Sequence, residues 1–122
     1  MDKKRLRVGI IGAGAIAQTM HLPNWLELAN EGRVELAGVC DIDKGRTEQA
    51  QGKFHISNAY MNHKKMLHEA EFDIIDICTQ NRFHCPIAVD ALKAGAHVLV
   101  EKPIAMSAKE AETMVNTAKA CK

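Results

Sequence analysis

Gly12, Gly14 and Ala17 stand at the spacing G-x-G-x-x-A, directly after the apolar run Val8-Gly9-Ile10-Ile11. Three small residues in that order can cradle a pyrophosphate. Gly12 lets the chain leave a strand in a tight turn, Gly14 leaves room for phosphate oxygens against the backbone, and Ala17 lets the next helix pack closely. A helix opening at Ala15 and Ile16 then turns its unpaired N–H groups and the positive end of its dipole toward the phosphate charge. No basic side chain is needed, and the chemistry implied is dinucleotide binding.

No other group of reactive side chains has spacing of this quality. His63 and His68 are five residues apart and do not stack on a helix as i,i+4 ligands would. The four cysteines, Cys40, Cys78, Cys85 and Cys121, contain no C-x-x-C pair, so no metal site is expected. Cys40 and Cys78 lie in apolar, strand-like runs and read as buried free thiols in a reducing compartment. His21, just ahead of Leu22-Pro23, reads as part of a helix kink.

Composition narrows the function classes. The chain has 122 residues, 47% of them hydrophobic and 25% charged, which suits one domain with its own core. A formal net charge of +1, with acids and bases interspersed, predicts neither nucleic acid nor a membrane surface as partner. Lys3-Lys4-Arg5 before an apolar run resembles a secretory signal, but Gly9, Gly12 and Gly14 interrupt that run and favour a strand and turn. No segment reaches transmembrane length, and a cytoplasmic protein is expected.

The elements that must position the glycine turn follow in order. A strand over Leu6–Ile11 leads into a helix near Ala15 that Pro23 must kink or restart, and a second helical piece runs to about Asn30. Val34–Cys40 reads as a buried parallel strand ending at Asp41. Asp43 caps a polar helix to about Phe54 that Gly45 and Gly52 weaken. A short extended piece at Ala59-Tyr60 precedes a helix capped by Asn62 that runs to Ala70. Phe72–Cys78 is a strand rich in β-branched residues. A helix from His84 to Ala94 tolerates Pro86 in its first turn and carries the stripe Ile87, Ala88, Ala91 and Leu92. His97–Val100 is the last strand. Ser107 and Glu110 form a capping box for a final helix with inner face Ala111, Met114, Val115 and Ala118, running to the last residue. The alternation predicts an α/β fold with a doubly wound parallel sheet, a dinucleotide-binding domain over residues 1–122 that stops before a sixth strand.

The set Gly12-Ala13-Gly14-Ala15-Ile16-Ala17, the strand-end Asp41, Thr79-Gln80-Asn81-Arg82-Phe83-His84 and Val100-Glu101-Lys102-Pro103 closely resembles the Gfo/Idh/MocA oxidoreductase family (glucose–fructose oxidoreductase and inositol dehydrogenase) over nearly the whole chain. The resemblance implies an N-terminal Rossmann domain, with an α/β domain absent from this chain that supplies most of the substrate pocket, an Asp/His pair and the oligomer interface. It implies cofactor contacts from Gly12, Gly14, Ala15, Ile16, Asp41, Thr79, Asn81, His84, Glu101 and Lys102. Asp41 would accept both adenosine ribose hydroxyls and repel a 2′-phosphate, favouring NAD over NADP, although Lys44 or Arg46 could swing toward such a phosphate. Asp41 can also be read as a solvated turn acid. Thr79 and Asn81 can be read as strand terminators, and His84 as a helix cap. Gln80 replaces the family's usual proline, which should loosen that turn.

By the same resemblance, Lys102 is the catalytic candidate. A lysine near a positively charged nicotinamide can have its pKa lowered toward use as a base for a substrate hydroxyl. The leading reading is therefore the NAD(P)-binding domain of an oxidoreductase acting on a sugar, cyclitol or related polyol, incomplete for catalysis alone. The alternative is a nucleotide-binding or interaction module without catalysis.

Overall fold

The apolar runs become strands and the stretches between them helices, each strand continuing parallel to the one before. In the computed structural model, which describes residues 4–121, the sheet order is β3-β2-β1-β4-β5. The strands are β1 (Leu6–Ile11), β2 (Val34–Cys40), β3 (Asn58–Tyr60), β4 (Ile74–Ile77) and β5 (His97–Val100). The helices are α1 (Leu22–Asn30), α2 (Lys44–Phe54), α3 (His63–Glu69), α4 (His84–Lys93) and α5 (Ala108–Ala120). Met1, Asp2, Lys3 and Lys122 lie outside the described residues, and with them part of the Lys3-Lys4-Arg5 run and the last residue of the expected final helix, whose observed span closes at Ala120. No helix among the described residues is long and apolar enough to cross a membrane.

Helices cover both faces of the sheet, as strands without a polar face require. On one side Leu22 and Phe54, from α1 and α2, pack on Val8, Ile10, Leu36 and Val39. On the other, Met66, Ile87, Ala91 and Met114, from α3, α4 and α5, pack on Ile11, Ile75 and Ile77. Gly9 and Gly38 lie side by side in the register of β1 with β2. A Cβ at Gly9 would come within 2.6 Å of the Met66 Cε, and one at Gly38 within 3.0 Å of Phe72, so this pair of glycines makes room for core side chains.

Two local expectations are sharpened. The helix does restart near Pro23, which sits in the first turn of α1, but without a gap: a π-helical turn over Ala17–His21 runs straight into α1. Proline has no N–H to give the fourth residue back, and the wider turn absorbs that loss. The Asn24 side-chain amide also covers the Met20 carbonyl at 2.9 Å. The inner face of α5 is narrower than its pattern suggests. Met114 is buried, but Val115 is 46% exposed and Ala118 is exposed too, because only one side of α5 meets α4. Half of the expected capping box forms, the Glu110 N–H donating to Ser107 Oγ, while Glu110 Oε1 reaches past the cap and accepts from the Met106 N–H.

Candidate functional site

The direction of the sheet's winding reverses at β1, which lies between β2 and β4. Loops leaving the C-terminal ends of such strands part there and leave a crevice. In this chain the crevice has a volume of about 580 Å³ and is walled by Gly12, Gly14, Ala15 and Ile16 after β1, Asp41 and Arg46 after β2, and Thr79 and Gln80 after β4.

The two glycines answer to different demands. Gly12 has φ +101°, and a Cβ there would come within 2.6 Å of the Cys78 carbonyl carbon, so the fold itself requires glycine. At Gly14 an added Cβ would meet nothing nearer than Arg46 Nη1 at 4.0 Å, and its φ lies outside the left-handed region. No neighbour within the protein excludes a side chain at Gly14, and the space it leaves open faces the crevice. Ala17 is fully buried, as close packing of the helix on the sheet requires. Gln18 adds a contact that spacing did not reveal, its side-chain amide donating to the Ala13 carbonyl at 2.8 Å.

Asp41 is 9% exposed and bonded on both oxygens, Oδ2 accepting from the Ala13 N–H and Oδ1 from the Asp43 N–H, each at 2.8 Å. These bonds fix the carboxylate against the glycine turn, and each oxygen keeps a lone pair. Arg46 Nη1 stands 4.0 Å from Asp41 Oδ2. Beside it the Cys40 thiol is pushed up to about 12 by burial and by the Asp41 charge. Cys40, Cys78 and Cys85 are free and buried, and Cys121 is free and exposed.

The loop after β4 holds its shape despite the missing proline. Gln80 adopts φ −62° and ψ 150°, the backbone conformation a proline would impose, and its carbonyl accepts from the Phe83 N–H at 3.0 Å. Thr79 lines the crevice, whereas Asn81 opens an exposed single turn of 3₁₀ helix and is not part of the wall. His84 is fully buried, its Nδ1 2.8 Å from the Pro103 carbonyl and its Nε2 3.0 Å from the Thr79 carbonyl. The ring therefore ties the loop after β4 to the loop after β5 instead of facing the crevice. Glu101 and Lys102 sit at the C-terminal end of β5, on the same edge of the sheet but beyond the wall, with Lys102 exposed.

A cluster absent from the sequence reading stands behind that edge. Asp76 of β4 is fully buried, and its Oδ2 contacts His21 Nδ1 at 2.7 Å and the Trp25 indole N–H at 2.8 Å. The other ring nitrogen of His21 is hydrogen-bonded to Glu101 Oε2. Cys78 Sγ lies 3.6 Å from Asp76 Oδ1. Among the described residues, His21, Asp76 and Cys78 offer ligand atoms within 4.8 Å of one another. Both Asp76 oxygens already have hydrogen-bond partners, however, and burial pushes the Cys78 thiol far up, which holds it protonated. The sequence did carry a signal for this cluster, since an acid inside Ile74-Ile75-Asp76-Ile77 must find partners if that strand is buried.

A family model described as "Oxidoreductase family, NAD-binding Rossmann fold" (GFO_IDH_MocA) matches residues 6–122. Among curated proteins the chain is 34% identical over 119 residues to D-glucoside 3-dehydrogenase of Escherichia coli, covering 98% of this chain and 33% of that protein. Among solved structures it superposes on myo-inositol 2-dehydrogenase from Lactobacillus plantarum with a TM-score of 0.84 at 30% identity, covering 96% of this chain and 34% of that one. The WlbA dehydrogenase of Chromobacterium violaceum, solved with NADH and UDP-GlcNAcA, gives a TM-score of 0.88 at 26% identity over 99% of this chain and 34% of that one. The chain thus spans about a third of the length of the relatives it matches.

Proposed function

The chain belongs to the GFO_IDH_MocA oxidoreductase family, and from that premise we propose that its crevice holds NAD as part of an enzyme oxidising a hydroxyl of a sugar, cyclitol or related polyol. The observation that carries the reading is Gly14, a position where the fold has room for a side chain and the crevice wall has none. The pyrophosphate would lie against Gly12, Gly14, Ala15 and Ile16, where the backbone N–H groups of the helix start stabilise its charge. Asp41 would accept the adenosine ribose hydroxyls, and Thr79 would line the path toward the nicotinamide. Asn81, His84 and Glu101 support that path from outside the wall. When bound there, the nicotinamide supplies a hydride acceptor.

Oxidising an alcohol carbon releases a proton as well as a hydride, and Lys102 is assigned to take that proton. The substrate class follows from the glucoside and inositol dehydrogenases among the relatives. The whole enzyme is proposed to complete its substrate pocket and its oligomer contacts with residues outside this chain. Free cysteines, one of them exposed, support a cytoplasmic setting. No observation favours the non-catalytic alternative.

Isothermal titration with each dinucleotide tests the cofactor assignment. NAD should bind about tenfold or more tightly than NADP, because Asp41 repels a 2′-phosphate. Asp41→Asn keeps an oxygen for the Ala13 N–H but removes the charge, and should narrow the gap. Equal or reversed affinities in the unmodified protein would sink the assignment.

A further inference from the structure

We propose that His21 is a positioning residue for Lys102: its ring, bonded to Asp76 on one side and Glu101 on the other, holds the Glu101 carboxylate against the Lys102 N–H. This rests on the reading of Lys102 as the proton-accepting group.

The cluster joins three parts of the chain, with His21 lying 55 residues from Asp76 and 80 from Glu101. Asp76 cannot move, since it is fully buried and Trp25 holds the same oxygen that meets His21. Glu101 is the more exposed end. Its side chain is 26% exposed, Oε2 meets His21, and Oε1 accepts from the Lys102 N–H at 3.2 Å. The backbone from which the Lys102 side chain departs is thereby fixed through Glu101, and Glu101 through His21.

Both ring nitrogens of His21 face carboxylates. A neutral imidazole has one N–H and satisfies one of them, whereas the imidazolium donates to both. Burial disfavours the charged ring, but the bonds and charges of Asp76 and Glu101 outweigh it and raise the His21 pKa. The bond to His21, with the Lys102 N–H behind it, lowers that of Glu101. The groups facing the ring are Asp76 from β4 and Glu101 from the end of β5. Trp25 of α1 and the protonated Cys78 thiol complete the cluster through Asp76. When the ring loses its proton, one carboxylate loses its donor. Glu101 is then released, because it is the one that water can reach.

Trp25 is the only tryptophan, so its fluorescence reports the Asp76–His21 pair directly. The experiment is a pH titration of Trp25 fluorescence together with the Lys102 backbone amide followed by heteronuclear NMR. Both signals should move with one midpoint above the ordinary histidine value of about 6.5. In Glu101→Gln the fluorescence midpoint should fall by about one pH unit, and the Lys102 amide should stop following it. In His21→Gln the amide should be flat across the range. A Lys102 amide that ignores the titration, or a midpoint that Glu101→Gln leaves in place, overturns the proposal.

Turnover of Lys102→Ala in the whole enzyme separates the two readings. If that variant keeps its rate while the titrations behave as expected, the Lys102 assignment fails and the positioning role with it. If it loses rate while the amide stays flat in the unmodified protein, the role of His21 alone is overturned.

Discussion

Gly14 and Gly12 look identical in the sequence motif and differ in what requires them. Gly12→Ala should compromise folding, because its φ of +101° and the Cys78 backbone leave no place for a Cβ. Gly14→Val should leave the unliganded melting temperature nearly unchanged while weakening NAD binding roughly a hundredfold or more. Calorimetric melting and titration of the same variant check both halves, and retained binding would contradict the pyrophosphate placement.

His21 and Glu101 make a second prediction at this scale, on pH. The folded-state pKa of His21 is raised, so its contribution to stability is full below the unfolded value and is lost as pH rises through the folded one. Glu101, whose pKa is lowered, contributes above its unfolded value and loses that contribution as pH falls through the folded one. Urea midpoints should therefore fall as pH climbs past about 6.5, and His21→Gln should flatten that limb. A limb equally steep in the variant would contradict the assignment. Asp41 and the glycines could be picked out at this scale because a strand end and a motif spacing mark their places, although the Asp41 bond to the Ala13 N–H spans 28 residues. Nothing local marks His21, whose partners are 55 and 80 residues away.

Caps and periodicity located the five α-helices, though not the short 3₁₀ turn Asn81–Phe83, and they could not say which apolar residues would meet a neighbour. In α5 the pattern gives Met114 and Val115 equal standing, and packing on α4 covers only Met114. Met114→Ala in this chain should cost about 2–5 kcal/mol through the lost burial and the cavity left behind. Val115→Ser should stay within about 0.5 kcal/mol. Denaturant midpoints of the two variants would decide, and the reverse order would mean that α5 packs by its other face. The first helix teaches a similar lesson. Pro23 reads as a kink or restart, and α1 does restart there, but the π-helical turn over Ala17–His21 keeps the chain helical up to it. That turn also carries His21, which ends up facing Asp76 and Glu101. At Gln80 the expected loosening does not occur, since the surrounding loop holds φ where a proline would put it.

At the scale of the whole molecule, the alternation of strands and helices was enough to predict a parallel sheet with both faces covered. The strand order β3-β2-β1-β4-β5 supplies the point of reversal that opens the crevice beside the glycine turn. The sequence by itself determined the elements, the glycine turn and the acid closing the second strand. Each of these depends on backbone geometry and hydrophobic period within a few residues. Only the tertiary structure decided that His84 is a buried tie between two loops, and that His21, Asp76 and Glu101 form one network behind Lys102. Those contacts span 19 to 80 residues and follow from strand order and register, which local spacing does not encode.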